Sequence, residues 1–222
     1  LVPINIVDRI VTKDGYTYKM NKNLNLINVG KSYYRYNEIR KSDTVVDIGA
    51  CIGTFIIPAS KLCNKAIAVE PVMFRELKEN VKLNNADVEC INLALGSGKK
   101  IKAKWEDKEV DVKTKTLSQI IKRCGGCDYL KLSCEGAEWH IKETDLEGIR
   151  VIEMQIHFKD KNELKKMIDM LESAEFSVEY EHKGKRAIFD TGMIHAKRLS
   201  MVLVTLFIQC SGILTELPIS LF

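Results

Sequence analysis

The stretch TVVDIGACIGTFIIP, Thr44 to Pro58, constrains the fold more than any other segment: a β-branched run ends near an acid, and two glycines follow four residues apart. The chain then turns apolar again. A strand that enters a glycine turn and continues into a helix belongs in a parallel sheet, because the helix must carry the chain back to the start of the next strand. The alternation repeats: KAIAVE then PVMFRELKENVKLNN, VECINLAL, TLSQIIKRC, DYLKLSC then GAEWHIKET, RVIEMQIH then KDKNELKKMIDMLESA, and FSVEYEH. This pattern predicts an α/β fold, a mostly parallel sheet with helices on both faces. In the helix after Glu70, the spacing places Phe74, Leu77, Val81 and Leu83 near one face and Arg75, Lys78, Glu79 and Lys82 on the other.

Before Thr44 the segment INIVDRIVTKDGYTYKMNKNLNLINVG mixes short apolar stretches with turn residues, and KDG is a hairpin connection. Residues 1–42 are therefore expected to be a β-rich lead-in to one domain over residues 43–198. The 222 residues suffice for one full core, and 45% apolar with 29% charged residues excludes a disordered chain. A net charge of +4 is too small, and the basic residues of the lead-in too loosely clustered, to imply nucleic acid; they read as a solvated face. Seven scattered cysteines read as reduced thiols of a cytoplasmic protein. Cys124 and Cys127 have the spacing of half a zinc site or a redox pair, but no second pair follows at a matching distance, so no metal is expected. The first residues carry neither a secretion signal nor an initiator methionine. Residues 199–222, LSMVLVTLFIQCSGILTELPISLF, lack Lys and Arg and approach the length of a membrane span. Gln209, Ser211, Gly212 and Glu216 interrupt the run, and MVLVTLFI is strand-length, so a buried strand and an apolar tail are expected there, with no span.

Parallel sheets of this kind bind ligands beyond the carboxyl ends of their strands, where strand order reverses. Gly49 and Gly53 would let the backbone pass close to a ligand, and Asp47 would present a carboxylate. Glu70, ending the second strand, can accept hydrogen bonds from both hydroxyls of a ribose. A dinucleotide wants G-x-G-x-x-G, but Cys51 stands where the second glycine belongs, and an acid before the turn repels a pyrophosphate. An ammonium-bearing ligand without phosphate, such as S-adenosylmethionine, suits Asp47 better. The plain alternative is structural glycines beside a solvated Glu70.

VVDIGACIGTF, AVEP with LKENVKLNN, INLALGS, TLSQII and DYLKLSCEGAE, in that order between about Tyr34 and His157, resemble the FkbM-type methyltransferases, a Rossmann-like branch of the S-adenosylmethionine-dependent enzymes. The resemblance implies a seven-stranded sheet, a cofactor site at the carboxyl ends of the first strands, and O-methylation of a small molecule or glycan. It implies that Asp47, Gly49 and Gly53 border the methionine end of the cofactor, that Glu70 binds its ribose and that Asn92, Leu93 and Ala94 flank adenine; Ala50, Cys51 and Pro71 belong to the same site. Two positions depart from the family: GACIG replaces the usual GANIG, and KLSCEGAE replaces KIDVEGAE, so that Ser133 stands where an Asp is usual.

Methyl transfer from a sulfonium is an in-line displacement that needs a base only if the acceptor must lose a proton. Three residues at the ends of the fourth and fifth strands are candidates for the catalytic side: Ser133, Glu135 and His157. Glu135 reads equally as the cap of a following helix, and His157 as a structural hydrogen-bonder. Two rival functions stay open. One is an RNA methyltransferase, against which stands the absence of an Asn-Pro-Pro-aromatic turn after the fourth strand. The other is an S-adenosylmethionine-binding protein with little turnover, because Ser133 has replaced the acid.

Overall fold

The computed structural model describes residues 9–19, 33–105, 108–186 and 189–199. The expected strand and tail beyond Leu199 lie outside the described residues. Strands β1 (Arg9–Val11) and β2 (Thr17–Lys19) form an antiparallel hairpin around the KDG turn. The domain strands follow: β3 (Thr44–Ile48), β4 (Lys65–Val69), β5 (Glu89–Ile91), β6 (Ala94–Leu95), β7 (Lys100–Trp105), β8 (Lys108–Lys115), β9 (Tyr129–Leu132), β10 (Val151–Phe158), β11 (Phe176–Arg186) and β12 (Phe189–Arg198).

Seven of these form one sheet in the order β5–β4–β3–β9–β10–β12–β11. β3 pairs parallel with β4 on one side and β9 on the other, so the order reverses there, while β12 runs antiparallel between β10 and β11. This is the mostly parallel seven-stranded sheet expected, but its seventh strand is FDTGMIHAKR, a segment the strand–helix pattern had not marked.

Successive strand residues point to opposite faces, and both faces are buried, which is why these strands read as continuous apolar runs. Val46, Ile67, Leu130 and Ile152 pack on one face with α3 (Leu117–Cys124) and α4 (Lys161–Ser173). Val45, Ala66, Tyr129 and Val151 pack on the other with α1 (Ile56–Ala59) and α2 (Phe74–Leu83). α3 starts in a capping box between Thr116 and Gln119 and stops at the left-handed Gly125. Asp160 caps α4 by accepting from the amides of Asn162 and Glu163.

Several local expectations change. In α2 only Leu77 of the four apolar residues is fully buried, alongside Asn80. The reason is the hairpin: Asn80 Oδ1 accepts from Lys19 N at 2.8 Å and Asn84 Oδ1 from Thr17 N at 2.8 Å, so polar residues of α2 take the place of a strand partner for β2. VECINLAL breaks at Asn92 into β5 and β6. GAEWHIKET forms two short 3-10 turns, Ala137–His140 and Glu143–Asp145, because Ile141 between them turns extended to reach the core. The β7–β8 hairpin, which joins β6 in a second small sheet, is an addition to the expected elements, although KIKAKW and EVDVKTK alternate as half-buried strands do. Among the described residues no helix is long and apolar enough to cross a membrane.

Candidate functional site

At the carboxyl edge of the sheet, by β3 where the strand order reverses, lies a cavity of about 690 Å³. The turn Gly49–Cys51, the segment Glu70–Met73, Leu93–Ser97 and Ser133–Ala137 line it, with Tyr34, Lys131, His140 and Gln155. Ile101, Ala103 and Thr114 of the β7–β8 hairpin line it as well.

Gly49 has φ +79°, and a Cβ there would sit 1.9 Å from the carbonyl oxygen of Ser133. The close approach of the chain leaving β9, whose Ser133 N donates to Ile48 O, is by itself enough to require the glycine. Gly53 does not line the cavity. A Cβ there would meet Ile57 and Leu77 at 2.9 and 3.0 Å, so it serves the packing of α1 against α2. Cys51 holds φ +51°. An asparagine, usual in the FkbM pattern, adopts such a left-handed conformation more readily. Burial first, and then Glu70, push the Cys51 thiol up to about 12.

Glu70 lies at the end of β4, lines the cavity and is 5% exposed. Its Oε1 accepts from Val72 N at 2.7 Å and Met73 N at 2.9 Å, and its Oε2 from Cys51 N at 2.8 Å. The carboxylate thus ties the turn after β3 to the turn after β4, leaving acceptor capacity on Oε2 toward the cavity. Pro71, Ala50, Leu93 and Ala94 also line the cavity, whereas Asn92 is exposed and outside it.

Asp47 departs from the expectation of a ligand-facing acid. It is fully buried, absent from the cavity lining, and 2.8 Å from the ammonium of Lys131, its register partner on β9. Lys131 Nζ also donates to Gly49 O at 3.0 Å and sits 5.3 Å from the ring centroid of Tyr34. Burial raises the pKa of Asp47 against the pull of Lys131. Burial opposes the Lys131 ammonium too, but Asp47 and Tyr34 outweigh it and hold Lys131 charged.

The candidate catalytic residues gather at the ends of β9 and β10. Ser133 Oγ donates to Gln155 Oε1 at 2.6 Å. Glu135, with φ +51°, lines the cavity, and its Oε2 is 3.5 Å from His157 Nε2. His157 itself is buried and outside the cavity lining; its Nδ1 lies 3.1 Å from Glu138 Oε1. Glu138 is fully buried, and its carboxylate also accepts from the amides of Gly136 and His157. Glu138 thereby ties the β9 loop to β10, and the cap position of the turn that follows falls on Gly136, not on Glu135.

Tyr34, Gln155 and the hairpin residues Ile101, Ala103 and Thr114 were missed by sequence reasoning. Gln155 had a signal: Glu153, Gln155 and His157 alternate in an otherwise apolar strand, which places all three on one face.

No protein-family model matches the chain, and no curated protein matches it. Among solved structures it is similar to precorrin-6y C5,15-methyltransferase from Geobacter metallireducens GS-15, with 16% identity and a TM-score of 0.52 over 84% of this chain and 96% of that one. It is similar to M. jannaschii TYW2 in complex with AdoMet, with 16% identity and a TM-score of 0.51 over 83% and 82%. A third is M. jannaschii tRNA m1G37 methyltransferase, with 21% identity and a TM-score of 0.54 over 85% of this chain but 56% of that one. Likeness at these identities is likeness of fold: the chain has the Rossmann-like fold of these methyltransferases.

Proposed function

We propose that the chain is an S-adenosylmethionine-dependent methyltransferase of FkbM type that O-methylates a small molecule or glycan. The observation that carries this reading is Glu70, a cavity-lining carboxylate at the end of the second parallel strand, braced by three backbone amides. Oε2 keeps a lone pair for a ribose hydroxyl, and the apolar lining of Leu93, Ala94 and Ile101 suits an adenine ring. Bound there, S-adenosylmethionine would supply an electrophilic methyl group.

The chain's own part is to position the acceptor and take its proton. Ser133 and Gln155 offer a neutral hydrogen-bonding wall. Glu135, at the cavity, accepts the proton of an acceptor hydroxyl. His157, 3.5 Å from that carboxylate and braced by Glu138, shares it.

Calorimetric titration and thermal shift with S-adenosylhomocysteine and NAD test the cofactor reading. S-adenosylhomocysteine should bind and raise the melting temperature as mass action requires; a shift with NAD and none with S-adenosylhomocysteine would overturn it. One of the similar structures is a tRNA methyltransferase by name, so a tRNA transcript belongs beside small alcohols and glycans in a labelled-methyl screen. Labelling of tRNA alone would overturn the acceptor class while sparing the cofactor reading.

A further inference from the structure

One charged side chain that lines the cavity is left unused by the proposed function. Lys131 stands in the middle of the sheet with its side chain 6% exposed, and it lines the cavity. An ammonium has three N–H donors. Two are taken by Asp47 Oδ1 at 2.8 Å and Gly49 O at 3.0 Å, and beyond them the group faces the ring of Tyr34 at 5.3 Å. Asp47 is sealed beneath it and cannot be reached by a ligand's ammonium group. Ser133, where the FkbM pattern has an acid, offers only a neutral hydroxyl, and that is engaged with Gln155. At this end of the cavity the protein therefore presents a cation whose counter-charge is hidden, which complements an anion.

We infer that Lys131 binds the carboxylate of the cofactor's methionine end, while Asp47 holds Lys131 charged and in place. The inference rests on the cofactor reading above and reverses the role of the first-strand acid. Grip on the amino-acid end comes through its carboxylate, not its ammonium group. A buried, oriented ammonium gives a charge-assisted bond stronger than an exposed lysine would.

The test compares S-adenosylmethionine with its decarboxylated form, which keeps the adenosine, sulfonium and ammonium groups and lacks only the carboxylate. Titrated calorimetrically into the whole chain, the decarboxylated form should bind roughly 10- to 100-fold more weakly, the worth of one hydrogen bond to a charged group. Removing Lys131 alone would leave Asp47 buried without a counter-charge. The double variant Asp47→Asn, Lys131→Met avoids this; it should bind both compounds with similar, weak affinity. Asp47→Asn alone removes the group that holds Lys131, and should narrow the preference for the carboxylated compound. Equal affinities in the native chain would overturn the inference without any variant having to fold, and so would a double variant that retains the preference. An Asp47→Asn variant that binds both compounds more weakly by the same factor, with the preference intact, would overturn the inference and return the ligand contact to Asp47, since both compounds carry the ammonium group. If the native chain binds neither compound, the cofactor reading itself fails, and the inference with it.

Discussion

Replacing Glu70 should damage the fold before any ligand is added. Its carboxylate accepts from three backbone amides, those of Cys51, Val72 and Met73, at 2.7 to 2.9 Å. In Glu70→Gln the side chain keeps its length but loses one acceptor. The better orientation turns the new amide group toward Cys51 N, leaving one donor facing another, and the two bonds retained by the carbonyl oxygen lose their charge assistance. A hydrogen bond to a charged group is worth about 1.5–3 kcal/mol and a neutral one about 1, so Glu70→Gln should lose roughly 2–4 kcal/mol and Glu70→Ala more. For a chain of this size, that is a fall in melting temperature of roughly 5–15 °C. Urea unfolding followed by circular dichroism reads it as a lower midpoint at unchanged slope. Cofactor affinity must then be measured at a temperature where the variant is folded, or lost folding will be scored as lost binding. An unchanged urea midpoint in Glu70→Ala would refute the bracing role and leave the carboxylate to the ligand alone.

Gly49→Ala should fail to reach the native fold, because its Cβ would meet the Ser133 carbonyl at 1.9 Å and the backbone holds φ +79°; a soluble variant with a native melting profile would refute the close approach. With its thiol pushed up to about 12, Cys51 is about one part in 10⁴ thiolate at about pH 8, so it should react with iodoacetamide far more slowly in the native than in the unfolded chain, the rate rising as the pH is raised toward that value. Mass mapping that finds Cys51 labelled early in native protein would contradict this. In single-turnover assays with a labelled methyl donor, Glu135→Gln should slow transfer to a hydroxyl acceptor by roughly 10²- to 10⁴-fold, and His157→Ala by less. Full activity in both variants would leave positioning alone as the mechanism. Ser133→Asp sets two acceptors against each other unless the Gln155 amide turns over; it should fold and, if the missing acid matters, raise the rate.

The strands were legible because fully buried parallel strands leave continuous apolar runs, as in TVVDI and KAIAV. Glycines at the turn were legible too, but not their reason: the Ser133 carbonyl that Gly49 admits lies more than eighty residues away in sequence. Nothing local announces such an approach. The β7–β8 hairpin was written in strict alternation and was passed over because it interrupts the expected strand–helix rhythm. The role of Asn80 and Asn84 was hidden for a different reason. Polar residues on a helix normally face water, and here two of them satisfy the backbone of a short strand instead.

The misreading of Asp47 separates two properties that a sequence tends to merge. An acid near the carboxyl end of a strand is close to the ligand edge along the chain, but whether it can be reached depends on the face of the sheet and on its neighbour across it. Asp47 alternates with Val45 onto a face covered by Phe55 and Tyr34, where an unpaired carboxylate would be costly. A charge inside a parallel sheet therefore demands a counter-charge at the same level of an adjacent strand. DYLKLS supplies it: Lys131 is a lone cation in a four-residue strand buried throughout, and the register of β3 with β9 sets it opposite Asp47. Pairing these two residues required strand order, which local sequence does not contain; the pattern of one opposite charge in each of two buried strands was nevertheless present, and it marked a structural ion pair rather than a free ligand-binding acid.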